Sequence, residues 1–364
     1  MTSTAFLGEE LSAAADQFLT DRWTSSRRRQ GLTAGLDAAL YQELGDQGIF
    51  TTMLSPQTGG LGLGLTEAAS LARVFGRHLL GGPWIESLVV APRIANRIPA
   101  AADLLAPVFG GRELLALVDE AVFSGSTPAG VGEMRTRGGA LFGDLRLVRF
   151  GHEASWLLCV VDAPDPRLLL VAADHDAITV HPEESNDPAS RFARVVVDGL
   201  PLDAGAVMVG RGAEETIRAL RHDLRIVAAH EMAGIATQLL AMSVDHAGQR
   251  AQFGRPIGSF QAVQHMLAEM VELAGSLENL CEAVITDSAN PPDQGSTGSL
   301  IVKAHAARVG PQVALMALQV HGGIGFTEEH DLHLFLKRAL SLEHYYGGER
   351  DLYRAIGRQA LARP

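Results

Sequence analysis

Cysteine is nearly absent: only Cys159 and Cys281 occur in 364 residues, too few for a disulfide framework and without the local spacing of a zinc site. Basic residues are outnumbered, with 30 Lys and Arg against 42 Asp and Glu and a formal charge of −12. That balance opposes a polyanionic backbone, so no nucleic-acid partner is expected. No stretch reaches the roughly 18 consecutive apolar residues that a membrane helix needs. The acidic start MTSTAFLGEELSAAADQF lacks the basic cluster and apolar run of a signal peptide. Tandem repeats and low-complexity tracts are missing too. These absences lead to the expectation of a cytoplasmic protein in a reducing compartment, without membrane association. What is plentiful is apolar residues, 47 % of the chain, ample for packed cores and for burying a cofactor.

The texture of the chain changes twice. From Leu11 to about Leu117 it is Ala- and Leu-rich with helical periodicity, broken at Ser55-Pro56 and Gly59-Gly60-Leu61-Gly62. Short β-branched runs follow, such as LLLVAA, AITVH and ARVVVDG, separated by Pro, Asp, Asn and Gly. After Gly212 long helical patterns return, and Phe260, Val263, Leu267, Met270 and Ala274 recur at spacings of three and four as one apolar stripe. The prolines and glycine of Asn290-Pro291-Pro292-Asp293-Gln294-Gly295 should end one helix and begin a connection. The expected fold is a mostly α, multidomain α+β chain. An N-terminal helical domain covers residues 1–115, a middle β-domain 116–209, and a C-terminal four-helix-type bundle 210–364.

Two motifs carry chemistry. Residues 250–270 read RAQFGRPIGSFQAVQHMLAEM and residues 319–330 read QVHGGIGFTEEH. Taken singly, an arginine near a phenylalanine is consistent with a surface cation beside a core ring, and a Gly-Gly pair with a helix stop. In this order, with FQAVQ between them, they resemble the carboxy-terminal signature of the acyl-CoA dehydrogenase family. That resemblance implies the three-part architecture above, FAD as cofactor, an acyl-CoA thioester oxidised between Cα and Cβ in fatty or steroid acyl-CoA catabolism, and an electron-acceptor flavoprotein. It also assigns roles. Arg250 offers the FAD pyrophosphate a planar fork of donors that lysine cannot supply, and Phe253 reaches the flavin held by a neighbouring subunit. Gln319 contacts the nucleotide, and Gly322 and Gly323 let it approach the backbone closely.

The rest of a usual site departs from the family pattern. Where relatives show a TEPxAGSD-like segment, this chain reads VDEAVFSGSTPAGVG; where a WIT-like triplet lies beside the flavin, Leu147 and Arg149 replace the tryptophan and threonine. The α-proton base is missing as well. The glutamate of a YEGT-like tetrapeptide falls on Tyr346, in HYYGGE, and a phenol with a pKa of about 10 is a poor base at neutral pH. A second location used by some relatives falls on Leu224, before Arg225. Asp223 and Glu349 are read as solvated acids near helix starts, and Glu231 as lying ~10 Å along its helix from Leu224. His330 and His333 read as a solvated face, His321 and His344 as packing residues. No residue of this chain is therefore assigned a catalytic role.

Retention of the neighbour-facing half and loss of the self-facing half fit one arrangement. This is a base-lacking subunit that completes the flavin site of a second acyl-CoA dehydrogenase-like chain in an α2β2 assembly. The alternatives are a self-sufficient homotetramer with a relocated carboxylate, a flavin monooxygenase on the same fold, and a non-catalytic scaffold.

Overall fold

The computed structural model describes residues 2–118, 132–161, 165–288 and 297–362. Helices come first: α1 (Thr2–Arg22), α2 (Ser25–Ala34), α3 (Ala38–Asp46), α4 (Leu65–His78), and the short α5 (Ala91–Ala95), α6 (Pro99–Leu104) and α7 (Ala106–Phe109). Strands β1 (Leu115–Val118), β2 (Arg135–Arg137), β3 (Ala140–Arg149), β4 (Trp156–Val161), β5 (Arg167–Ala172), β6 (Ile178–Glu183), β7 (Phe192–Pro201) and β8 (Ala206–Val209) follow. Then come α8 (Gly210–Gln249), a two-residue hairpin of β9 (Ala251–Gln252) and β10 (Arg255–Pro256), α9 (Gln261–Ser288), α10 (Gly298–His321), α11 (Leu332–His344) and α12 (Glu349–Leu361). The expected order of helices, strands and helices is found. Among the described residues no helix is long and apolar enough to cross a membrane. The proline-rich stretch expected to end a helix near residue 290 lies outside the described residues.

Two compact units, neither continuous in sequence, make up the chain: residues 31–68 with 81–224, and residues 1–30 with 69–80 and 225–364. The first contains two four-stranded sheets, ordered β1-β4-β5-β8 and β2-β3-β7-β6. All pairings are antiparallel except β1 with β4. Alternate residues of both sheets, among them Leu141 and Leu145, Leu157 and Cys159, Leu169 and Val171, and Val195 and Val197, share one buried cluster, as a period of two requires of facing sheets. Helix α3 is capped by Asp37, whose carboxylate accepts the Leu40 N–H at 3.0 Å. A fully buried π-helical turn, Glu86–Val90, precedes α5.

The second unit is helical. Gly76 on α4 and Gly234 on α8 let the two helices touch backbone to backbone: a Cβ on either would lie 2.0 Å from a carbonyl oxygen, of Glu231 and Arg73 respectively. The apolar stripe of α9 is buried from Met270 onward through Ala274, Leu277 and Cys281, whereas Val263 and Leu267 are only half-buried. Both cysteines are buried, and burial pushes the Cys281 thiol up to about 12.

Candidate functional site

The first motif sits where α8 ends. The Arg250 N–H completes the last helical turn on the His246 carbonyl at 2.9 Å, and the Ile257 N–H returns to the Arg250 carbonyl at 2.8 Å, closing the β9-β10 hairpin. Its tip is Phe253-Gly254, both with left-handed backbone, φ 52° and 81°. This pairing suits a two-residue hairpin, although a phenylalanine adopts it under strain. Phe253 is 92 % exposed and meets Phe260 edge-on at 6.2 Å, while the Arg255 guanidinium covers Phe260 at 4.1 Å. The strained turn therefore presents a ring to the outside from a braced base. Arg250 is exposed beside it.

The second motif ends α10. Gln319 is exposed in the last turn, and Gly322, with φ 60° and ψ −139°, stops the helix in a conformation that only glycine adopts without strain. The helix-stop role and an open backbone coincide here, because a Cβ on Gly322 or Gly323 would meet nothing within 4 Å. Far apart in sequence, the two motifs are joined through side chains. The His246 ring stacks on His321 with centroids 4.5 Å apart, and His321 meets His330 at 4.9 Å. His321 is thus a packing residue, as expected. His246 escaped sequence reading, although it lies one turn before Arg250.

The expected base position is filled by other groups. Tyr346 is fully buried with φ 59°, and its carbonyl accepts the Arg225 Nε–H at 3.2 Å. The Lys303 ammonium donates to the carbonyls of Glu343 and Gly347 at 2.9 and 3.0 Å, so two cations grip the HYYGGE turn through its backbone. Leu224 is fully buried. Sequence reading missed Lys303, because a single lysine in an Ala-rich helix carries no local signal of burial.

Asp223 requires a correction. It is not a solvated acid near a helix start but a buried residue inside α8, paired with Arg93 at 2.6 Å. Burial pushes its carboxyl above the usual range, against the pull of Arg93. Glu231 is likewise buried, held by two nitrogens of Arg338 at 2.8 and 2.7 Å. Glu349 is the first residue of α12 and half-buried. His344 is exposed rather than packed. His330 and His333 are half-buried instead of forming a solvated face, and the His333 Nδ1–H donates to the His330 carbonyl at 2.7 Å. Among the described residues no three His, Cys, Asp or Glu side chains are grouped to hold a metal ion.

In the sheet-bearing unit, β3 bulges between Leu145 and Val148, and both Leu147 and Phe150 have left-handed backbone. Leu147 is exposed, its N–H bound by the Glu183 carboxylate at 3.0 Å. Between them Arg149 turns inward and donates from Nη2 to Glu86 at 2.8 Å, the two side chains 4 % and 1 % exposed. Nearby on the π-helical turn, Ser87 shares a 2.7 Å hydrogen bond with the Tyr41 hydroxyl, which burial pushes well above its usual pKa. Most of the VDEAVFSGSTPAGVG segment, residues 119–131, lies outside the described residues.

Helices, a pair of facing sheets and a long-helix bundle define a class of fold, and known proteins share it. The family model described as acyl-CoA dehydrogenase, C-terminal domain, matches residues 210–361. Acyl-CoA dehydrogenase FadE34 of Mycobacterium tuberculosis is 30 % identical over 321 residues, covering 85 % of this chain and 40 % of that protein. FadE27 of the same organism is 27 % identical, covering 100 % of this chain and 99 % of its own. The chain thus spans two fifths of one relative and nearly all of the other. A solved structure described as a Tcur3481-Tcur3483 steroid ACAD variant superposes with a TM-score of 0.86 at 26 % identity over 99 % of both chains. The ChsE4-ChsE5 complex from Mycobacterium tuberculosis gives the same score at 23 % identity over 98 % of each. Residues 210–361 thus match the C-terminal domain of the acyl-CoA dehydrogenase family, and the chain as a whole is similar to members of that family.

Proposed function

We propose that this chain is the base-lacking subunit of an FAD-dependent acyl-CoA dehydrogenase, and that it completes the flavin site of a second family chain in an α2β2 assembly. The observation that carries the reading is the vacant base. Leu224 and Tyr346 stand at the two positions where the resemblance puts the base, and Tyr346 is buried with its backbone held by Arg225.

The donor set fits FAD on one side. An exposed guanidinium at Arg250, an exposed ring at Phe253, an exposed amide at Gln319 and the open backbone of Gly322-Gly323 are suited to a dinucleotide delivered from outside. On the other side, Arg149 stands at the position that resemblance puts beside a chain's own flavin, and it is consumed by the pair with Glu86. When bound, FAD takes the β-hydride of the thioester. This chain's residues would bind and orient it: Arg250 would neutralise the pyrophosphate, Phe253 would help exclude water, and Gln319 would hydrogen-bond the nucleotide. The α-proton would be taken by a carboxylate of the partner, and an acceptor flavoprotein would take up the reducing equivalents. Relatives described as a steroid ACAD and as very long-chain specific acyl-CoA dehydrogenase support a steroid or fatty acyl-CoA as substrate.

Co-expression with the second chain and flavin counting test the reading. The assembled protein should hold FAD, and the chain alone little; one tightly bound FAD per isolated chain overturns it. Arg250→Lys should weaken FAD retention in the assembly by ~1–3 kcal/mol, the range for hydrogen bonds to charged groups, because a point ammonium keeps the charge but not the fork. Equilibrium dialysis of FAD against the assembled variant measures this. Unchanged affinity would place Arg250 away from the cofactor.

A further inference from the structure

The side-chain join between the two motifs has no counterpart in the roles assigned above. The His321 Nδ1–H donates to the Ala317 carbonyl at 2.8 Å, which fixes the tautomer and leaves Nε2 as a buried acceptor without a partner among the described residues. With one nitrogen spent on its own helix and the other enclosed, the ring acts through its faces. One lies against His246 at 4.5 Å and 24°, and His330 approaches at 4.9 Å and 59°.

Each neighbour is itself anchored. His246 is tied through its carbonyl to the Arg250 N–H. His330 accepts the Leu332 N–H on Nδ1 and stands next to Asp331, which Ser25, Arg28 and Arg29 bind. A Cβ on Gly325 would come within 2.9 Å of Leu318 Cδ1 and 3.3 Å of the His321 Cβ, so the turn after Gly322 packs closely against the base of the same side chain.

We propose that His321 is a positioning residue: stacked on His246 and packed at a tilt against His330, it locks the Arg250-Phe253 hairpin and the Gln319-Gly323 turn into one arrangement, so that both motifs meet a single cofactor. The cofactor clause rests on the function proposed above. The lock itself does not.

Protonating the enclosed His321 ring would bury a charge beside two other imidazoles, which opposes the packed arrangement. Burial first, and then the neighbouring His246 and His330, push the His321 pKa down to about 4. His246 is lowered by burial, His330 and Arg250. His330 is lowered by burial, Arg29 and His333, against the opposing pull of Asp331. A ring released from the stack titrates near its ordinary 6.5, so the opened form takes up the proton first. Acidification through the interval from 6.5 down to about 4 therefore favours opening, and the lock is at full strength above it.

Amide hydrogen exchange on the full chain without flavin, and FAD release from the assembly, test the proposal. His321→Ala should raise exchange in segments 246–257 and 319–326 together, roughly tenfold for the loss of ring stacking, and should speed FAD release. His321→Phe keeps the stack without the titration. It should match the wild type above pH 7 and show less of the opening, read as exchange relative to the intrinsic amide rate, that the wild type acquires between pH 6.5 and 5. Unchanged exchange in His321→Ala, or a wild-type pH profile in His321→Phe, overturns the proposal. Should His321→Ala fail to fold by circular dichroism, His246→Ala at the half-exposed neighbour replaces it, with the same two segments expected to loosen and the same overturning result. If exchange responds as expected while Arg250→Lys leaves FAD retention unchanged, the flavin reading falls and the positioning role stands.

Discussion

Alanine in place of Glu86 is expected to cost ~3–5 kcal/mol of stability, because it removes the carboxylate paired with the buried Arg149 guanidinium. Both side chains are almost fully excluded from solvent, so water cannot take over the lost contact. Denaturant unfolding of the single variant and of Glu86→Leu combined with Arg149→Met separates the two parts of the effect. Removing both charges should restore much of the loss, since an apolar replacement of a buried pair is often neutral. A single variant as stable as the wild type would mean that the pair is wetter or more loosely packed than the structure implies. The result bears on function, because a guanidinium committed to Glu86 is not available to a ligand in this chain's own sheet-bearing unit.

The second large effect belongs to the assembled enzyme. Glu349→Gln and Asp223→Asn should leave turnover nearly unchanged, whereas removing the partner's carboxylate should lower it by at least ~10²-fold, the loss expected for a general base. Asp223 is the stricter control, since its burial raises the carboxyl toward the range where a base operates. Its 2.6 Å pairing with Arg93 is the competing structural use. Anaerobic bleaching of the flavin by acyl-CoA reads the chemistry directly, after each variant is shown to keep flavin and partner. A flavin-replete Asp223→Asn or Glu349→Gln protein that binds acyl-CoA and no longer bleaches would make that residue the base and the chain self-sufficient.

The elements were legible where local pattern and tertiary role coincide. Long apolar periodicity announced the helices after Gly212, and short β-branched runs with turn residues announced the strands of the facing sheets. The exposed motifs were legible for a related reason: Phe253-Gly254 at a hairpin tip and Gly322 at a helix end are local conformations that their residue types allow. What stayed hidden depends on partners distant in sequence. Nothing near Asp223 signals that Arg93 buries it, and nothing near Glu86 signals Arg149. Lys303 sits in an apolar helix, and its partners are backbone carbonyls, which have no sequence signature at all. His246 and His321 show the same limit, since each is ordinary in its own segment and becomes distinctive only when two helix ends meet.

The burial of Cys159 and Cys281 has a practical side. One thiol lies within the sheet core and the other is buried and pushed to about 12, so neither is presented to an alkylating reagent. The described chain is therefore a blank background for a single reporter, and Phe253→Cys would put one at the hairpin tip without deleting another residue. A fluorophore attached there would signal the moment when a second chain covers the turn, and its brightness against added partner would be a binding isotherm for the assembly.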